Sequence, residues 1–231
     1  MLYFLSSPQF LTGMTIFYFA AIKDLQIHMR NRPAYKLQII MQCYNIIQIV
    51  LNAYMVYGLC NIQFLADKPN LLALHVPYND NIAYYINIHY FSKYFDYLDT
   101  FFMILRNKNN QVSFLHVYHH ASVCIVWGIL VHINHNNGTA AFTALLNSII
   151  HTIMYSHYFI TSFGIQNPWK KLITQAQLIQ FVLFIVHSIS VLLWETIYPR
   201  NLAYIELVYN IPMILLFGNF YKQNYNTRKI T

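Results

Sequence analysis

Three histidines, His116, His119 and His120, follow one another at i, i+3 and i+4 in the run Gln111-Val-Ser-Phe-Leu-His-Val-Tyr-His-His120. On an α-helix this spacing puts them inside one arc. Imidazole near neutral pH serves as nucleophile, general base or metal ligand. One histidine on an apolar helix is usually a satisfied core residue, whereas three on one face argue for chemistry. A second set reads Asn147-xxx-His151-xx-Met154-Tyr155, with Tyr158 on the same face. Tyr and Asn supply the hydrogen bonds that orient an imidazole. The plain alternative is a polar seam between helices.

A third set is His89-xxx-Lys93-xx-Asp96-xx-Asp99-Thr100. Helical periodicity predicts one face for His89, Lys93, Asp96 and Thr100, with Asp99 beside them. Lys93 and Asp96 have the spacing of an ion pair, so the competing reading is a structural pair that holds helices together. Thr174, Gln177 and Gln180 add hydroxyl and amide groups at helical spacing, which also suits interhelical contacts. His187, alone in an apolar run, reads as structural. Cys124 reads as a small buried hydrophobe rather than a thiol nucleophile.

The segments that carry these groups give them their weight. The chain has 231 residues, 57% hydrophobic and 9% charged. A soluble domain is about a quarter charged, so this surface does not belong in water. Disorder is excluded by the same composition, and three cysteines make no disulfide framework. Residues 1–22, 37–66, 109–169 and 172–194 carry no Asp, Glu, Lys or Arg. Each exceeds or approaches the roughly 20 apolar residues that cross a bilayer. The polar turn His132-Ile-Asn-His-Asn-Asn-Gly138 divides the third stretch in two. Residues 82–105 and 201–221 are apolar with embedded charges. The expectation is therefore an all-α membrane protein with seven spans, at about 5–27, 37–60, 82–105, 112–132, 139–162, 172–194 and 201–221. They form one polytopic domain over 1–231, and the first span is retained rather than cleaved.

Lys and Arg orient the spans. Arg30, Arg32, Lys36, Arg106, Lys108, Lys170, Lys171, Lys222, Arg228 and Lys229 fall in one set of loops, and Lys68 and Arg200 in the other. This places the N-terminus in the lumen and the C-terminus in the cytosol. The net charge of +7 is then largely topology, and nucleic acid is not an expected partner.

A His-x-x-His-His run also occurs in membrane di-iron oxidases, but two irons need more ligands than one run supplies. His132 and His135 fall at the opposite side, and His151 and His157 face different ways. The ordered set of motifs instead resembles the ELO family of fatty acid elongases, the 3-oxoacyl-CoA synthases of the endoplasmic reticulum. The resemblance runs from about Arg30 to Tyr225. It comprises Arg32-Pro33 with Tyr44-Asn45-xx-Gln48, Lys93-xx-Asp96-xx-Asp99-Thr100, the histidine run, Asn147-xxx-His151-xx-Met154-Tyr155, Thr174-xx-Gln177-xx-Gln180, and Phe217-Gly-Asn-Phe-Tyr221.

The resemblance implies condensation of a long-chain acyl-CoA with malonyl-CoA to a 3-oxoacyl-CoA two carbons longer, releasing CO2 and CoA. It implies seven helices, six of them around an acyl-chain tunnel. By position in the motif, His119 would be the nucleophile, forming an acyl-imidazole, and His151 would lie across the tunnel. His116 and His120 would be acid, base or positioning groups. Lys93, Asp96, Asp99, Thr100, Asn147, Tyr155, Thr174, Gln177 and Gln180 would bind or position substrate. Arg30, Arg32, Arg106, Lys108, Lys170 and Lys171 would meet the CoA phosphates. No metal or redox cofactor is required. Partners would be the membrane, the two CoA esters, and separate reductases and a dehydratase of the elongation cycle, with room for a homo-oligomer.

The chain departs from the family pattern at Asp96, where Glu is usual, and at His157, where Tyr is more frequent. It also lacks the Pro-Gly-Gly turn after the histidine run. The alternatives are a catalytically weak or inactive lipid-binding homologue, a receptor or channel, and a di-iron oxidase. The tail Arg228-Lys229-Ile230-Thr231 resembles a dilysine retrieval signal.

Overall fold

A computed structural model describes residues 2–63 and 69–226. Lys68 and the Arg228–Thr231 tail lie outside the described residues. The described chain is helical without strands: α1 Leu2–Leu5, α2 Pro8–Met29, α3 Gln38–Gln63, α4 Asp80–Phe95, α5 Tyr97–Leu105, α6 Phe114–His132, α7 Ala140–Ser162, α8 Lys170–Trp194 and α9 Leu202–Tyr221. By length and composition, α3, α6, α8 and α9 can each cross a membrane.

The helices hide polar residues and display apolar ones. On α3, Tyr44, Asn45, Gln48 and Asn52 are buried, while Ile39, Ile40, Ile46, Ile47 and Val50 are exposed. On α8, Thr174, Gln180, His187 and Ser188 are buried, while Leu172, Ile179, Val182, Val186 and Leu193 are exposed. A hydrocarbon solvent demands this inversion, because a polar group facing lipid finds no partner. The protein is a multi-pass membrane protein.

The packing forms a closed circuit. α3 packs on α4 and α7, α7 on α8, α8 on α9, α9 on α6, and α6 on α4. α2 lies outside the circuit against α5 and α6. Close approach needs small residues: a Cβ at Gly128 would run into the Leu11 side chain of α2, and one at Gly58 into the Tyr85 ring.

Residues 82–105 do not form the single helix expected of them. The helix breaks at Asp96, which ends α4 and precedes α5. Asp99 N donates to Asp96 O rather than to Phe95 O, and the Tyr44 hydroxyl, from α3, donates to Phe95 O at 3.2 Å. A break inside a membrane is tolerated where a neighbour satisfies the freed carbonyl. The expected common face is thereby split. His89 meets Ser148, Lys93 and Asp96 meet α7 and α3, and Thr100 turns to α2 and α6.

One end of the bundle gathers the cations. Tyr35 N bonds Leu105 O, Asn107 Nδ2 bonds Arg32 O, and Gln38 Nε2 bonds Ser162 O. These bonds bring Arg30, Arg32, Arg106, Lys108, Lys170 and Lys171, all exposed, to the end where α6 begins. Asn107, at φ +54°, closes α5 while Lys108 N returns to Met103 O, which fits a left-handed helix stop. Ser113 caps α6 by accepting from His116 N, so the histidine run occupies the first two turns of that helix.

At the opposite end Glu195 binds the 69–79 segment. Its buried carboxylate accepts from the backbone N–H groups of His75, Thr196, Ile197 and Tyr198. Burial opposes ionisation there, but these donors outweigh it and hold Glu195 below the usual glutamate range. A carboxylate acidified by folding stabilises the fold above its unfolded pKa of about 4.3, and that contribution fades as pH falls through the lower folded value. Thermal stability of the purified protein is therefore expected to fall on acidification below about pH 4. Glu195→Gln should flatten that profile and cost about 1–3 kcal/mol at pH 7. Superimposable pH profiles for the two proteins would contradict this.

Candidate active site

Lys93 is the one ammonium buried among the described residues. Its Nζ donates to Asn147 Oδ1 at 2.8 Å and lies 3.5 Å from Asp96 Oδ2. Asp96 Oδ1 accepts from Gln48 Nε2 at 2.8 Å and reaches the Tyr155 hydroxyl at 3.1 Å. Tyr155 also reaches Asp99 Oδ2 at 2.7 Å. One phenol proton cannot serve both carboxyls. His151 Nδ1 stands 3.8 Å from Asp96 Oδ2, beyond hydrogen-bond range, and has no partner.

The histidine run divides. His119 Nδ1 lies 3.1 Å from the Tyr209 hydroxyl of α9, and His119 borders a cavity between α6, α7, α8 and α9. His116 Nε2 meets Thr100 Oγ1 at 2.9 Å, and Thr100 meets the Tyr18 hydroxyl of α2 at 2.7 Å. His116 is therefore absent from the cavity lining and belongs to a relay on the α2 side. The arc of three is real as a helix property, but only His119 faces the open space. His120 is buried, its ring tilted against His116 at 4.3 Å and edge-on to His119 at 5.4 Å between centroids, and leaves Nδ1 without a hydrogen-bond partner.

The cavity has about 930 Å³ of empty space, its opening to solvent included. Apart from His119, its first end holds Asn147 and Gln180, and its far end His135, Asn137 and Tyr198. Val123, Val126, Leu130, Phe181 and Phe184 make much of the wall apolar. Asn147 thus joins the Lys93 cluster to the cavity.

Thr174 donates to Lys170 O of its own helix and Gln177 to the Met154 sulfur, and neither borders the cavity. The Gln180 carbonyl is buried without a partner. His187 is not isolated. Its Nε2 meets Leu72 O at 3.0 Å and its Nδ1 meets Glu206 Oε2 at 3.4 Å. Among the described residues no three His, Cys, Asp or Glu converge as metal ligands.

Sequence reasoning gave no role to Tyr209 or Glu206. Nothing singles Tyr209 out among 20 tyrosines. Glu206 was visible only as a charge inside an apolar run. Gln48 and Tyr44 did carry a signal, polar groups at i, i+4 on one face of α3.

The chain matches the family described as ELO: GNS1/SUR4 family over residues 3–231. It is 39% identical to fatty acid elongase 5 of Leishmania major over 213 residues, 92% of this chain and 84% of that protein. It is 37% identical to fatty acid elongase 5 of Trypanosoma cruzi (strain CL Brener) over 214 residues, 93% and 83% respectively. With very long chain fatty acid elongase 5 of Mus musculus it shares 36% identity over 216 residues, 87% and 69%. A family match across nearly the whole chain, together with the imidazole and ammonium clusters beside a largely apolar cavity, establishes that this protein belongs to the GNS1/SUR4 (ELO) family.

Proposed function

We propose that this protein is a fatty acid elongase, an acyltransferase that condenses a long-chain acyl-CoA with malonyl-CoA to a 3-oxoacyl-CoA two carbons longer. The observation that carries the reading is His119 at the head of a largely apolar cavity in a chain whose relatives are named fatty acid elongases.

The Tyr209 contact suits a neutral imidazole with its proton on Nδ1, donated to the phenol oxygen. Nε2 is then a free nucleophile. It attacks the thioester carbonyl, the C–S bond breaks, and the imidazole proton and the thiolate together account for the released CoA thiol. Malonyl-CoA then loses CO2, its enolate carbon attacks the acyl-imidazole, and the imidazole regains a proton from solvent. Lys93 and Asn147, with His151 behind them, are the donors available to the enolate and oxyanion. His120 completes the polar floor, and His116 with Thr100 fixes the first turn of α6.

In this reading α4 and α5 together make the third of seven spans. The N-terminus is lumenal, the C-terminus is cytosolic, and residues 1–231 form one unit in the endoplasmic reticulum membrane. The six exposed cations meet the CoA phosphates at the cytosolic mouth. The chemistry needs no metal or redox cofactor, and separate reductases and a dehydratase would process the product.

Membranes from cells expressing the chain, given labelled malonyl-CoA and a panel of acyl-CoAs, should yield 3-oxoacyl-CoA by mass spectrometry. Folded protein that yields none with any acyl-CoA would overturn the reading. Tyr209→Phe removes the acceptor that selects the imidazole tautomer. It is expected to lower kcat about tenfold, by analogy with losing an orienting partner of a histidine ligand, with little change in KM. An unchanged kcat would dismiss Tyr209 as an orienting group.

A further inference from the structure

Tyr209 and Phe217 of α9 both meet the His119 ring, and a proline separates them. The Tyr209 hydroxyl bonds Nδ1, and the Phe217 ring stands edge-on to the imidazole at 6.2 Å between centroids. Pro212 lies between the two, inside the helix. Proline has no N–H, so the ladder bond that the Val208 carbonyl would accept from residue 212 is missing. Helices bend at such points.

The half of α9 beyond Pro212 covers the approach to His119. Phe217 is two turns past Tyr209, or roughly 12 Å toward the end that gathers the cations. Its ring packs on Phe181 of α8 at 5.0 Å. Among the described residues, Tyr209 borders the cavity and Phe217 does not. An acyl chain entering from the cation end therefore passes the Phe217 ring before it reaches the imidazole. One turn further, the Tyr221 hydroxyl accepts from Gln175 Nε2 of α8 at 2.9 Å, which fastens the end of α9 to the start of α8. Between these two contacts the segment is loosely embedded. A Cβ at Gly218 would meet no atom within 4 Å, and Leu215 and Asn219 are exposed.

We propose that residues 213–221 form a gate, hinged at Pro212 and latched by the Gln175–Tyr221 hydrogen bond, that swings Phe217 aside to admit and release acyl chains. The proposal rests on the cavity holding the acyl chain. The place of the hinge suits the chemistry. Tyr209 stays on the fixed half and keeps the His119 proton on Nδ1, while Phe217 moves. A closed gate also keeps water from an acyl-imidazole.

The test follows exchange of a fluorescent acyl-CoA thioether, which cannot acylate His119, on the purified full chain in detergent by stopped flow. A gate closed in free and loaded protein alike slows entry and exit by one factor and leaves Kd unchanged. Tyr221→Phe removes the latch acceptor. It should raise association and dissociation rates together, about three- to tenfold, the value of one hydrogen bond. Gln175→Leu removes the other partner and should do the same. Pro212→Ala restores the missing ladder bond and should lower both rates about threefold or more. Wild-type exchange rates in Pro212→Ala, or in both latch variants, would overturn the gate. So would a weakened Kd in Tyr221→Phe at constant association rate, which would make Tyr221 an affinity contact. Failure to elongate any acyl-CoA would count against the elongase reading alone, because exchange is measured without turnover.

Discussion

His119→Ala is expected to lower 3-oxoacyl-CoA formation by about a thousandfold or more, as loss of a covalent nucleophile does elsewhere. The fold should survive. His119 sits at the cavity edge, its ring makes one hydrogen bond, to Tyr209, and removal leaves the Lys93 cluster intact. Incubation of the wild type with acyl-CoA alone, without malonyl-CoA, should leave an acyl group on the peptide containing His119, seen as a mass increment and absent from the variant. His151→Ala should retain the adduct and lose the second half-reaction, since that ring stands beside Asp96 and outside the cavity lining. An active His119→Ala protein, or an adduct that persists in it, would move the nucleophile elsewhere. Within the same run, His116→Ala should act mainly on stability, because His116 contacts Thr100 rather than the cavity.

The largest expected effect on folding is at Lys93. Lys93→Met leaves the buried Asp96 without the ammonium beside it and strips Asn147 Oδ1 of its donor. Breaking a buried pair from one side costs about 3–5 kcal/mol. For a chain of this size that corresponds to a fall of about 10 °C or more in unfolding temperature. Lys93→Met combined with Asp96→Asn removes both charges, and the carbonyl of the introduced amide can still accept from Gln48. The double variant should therefore recover most of the lost stability while remaining inactive. The comparison needs only detergent-solubilised protein and a melting curve for each variant. Equal melting temperatures for Lys93→Met and wild type would show that the ammonium is not holding the Asp96 carboxyl.

Asp96 meets its neighbours unevenly. Its carboxyl bonds Gln48 well but stands 3.5 Å from Lys93 and 3.8 Å from His151. The relation of these residues was partly legible in the chain itself: Lys93 and Asp96 at i, i+3, and His151 and Tyr155 at i, i+4, needed only helical periodicity. Periodicity failed where the backbone was not periodic. His89 and Thr100 were grouped with Lys93 on one face, but the break at Asp96 rotates Thr100 toward Tyr18 and His116. At that break the Phe95 carbonyl accepts from the Tyr44 hydroxyl, a contact 51 residues distant in sequence that no local rule could supply.

By itself the sequence determined what can be computed from composition and local spacing. Long uncharged stretches specify helices in a membrane, because a chain in hydrocarbon must satisfy its own backbone. The ordered motifs identify the family. The positions of Lys and Arg collect cations at one end of the bundle. Tertiary structure alone decided which polar groups meet. It separated His116 from His119, bonded Thr174 to its own helix, paired His187 with Glu206, and brought Tyr209 to His119. Every one of these depends on the rotation and depth of helices distant in sequence, and the apolar pattern is too uniform around such helices to fix either. Close packing against particular neighbours does so instead, as where Gly128 admits Leu11 and Gly58 admits Tyr85.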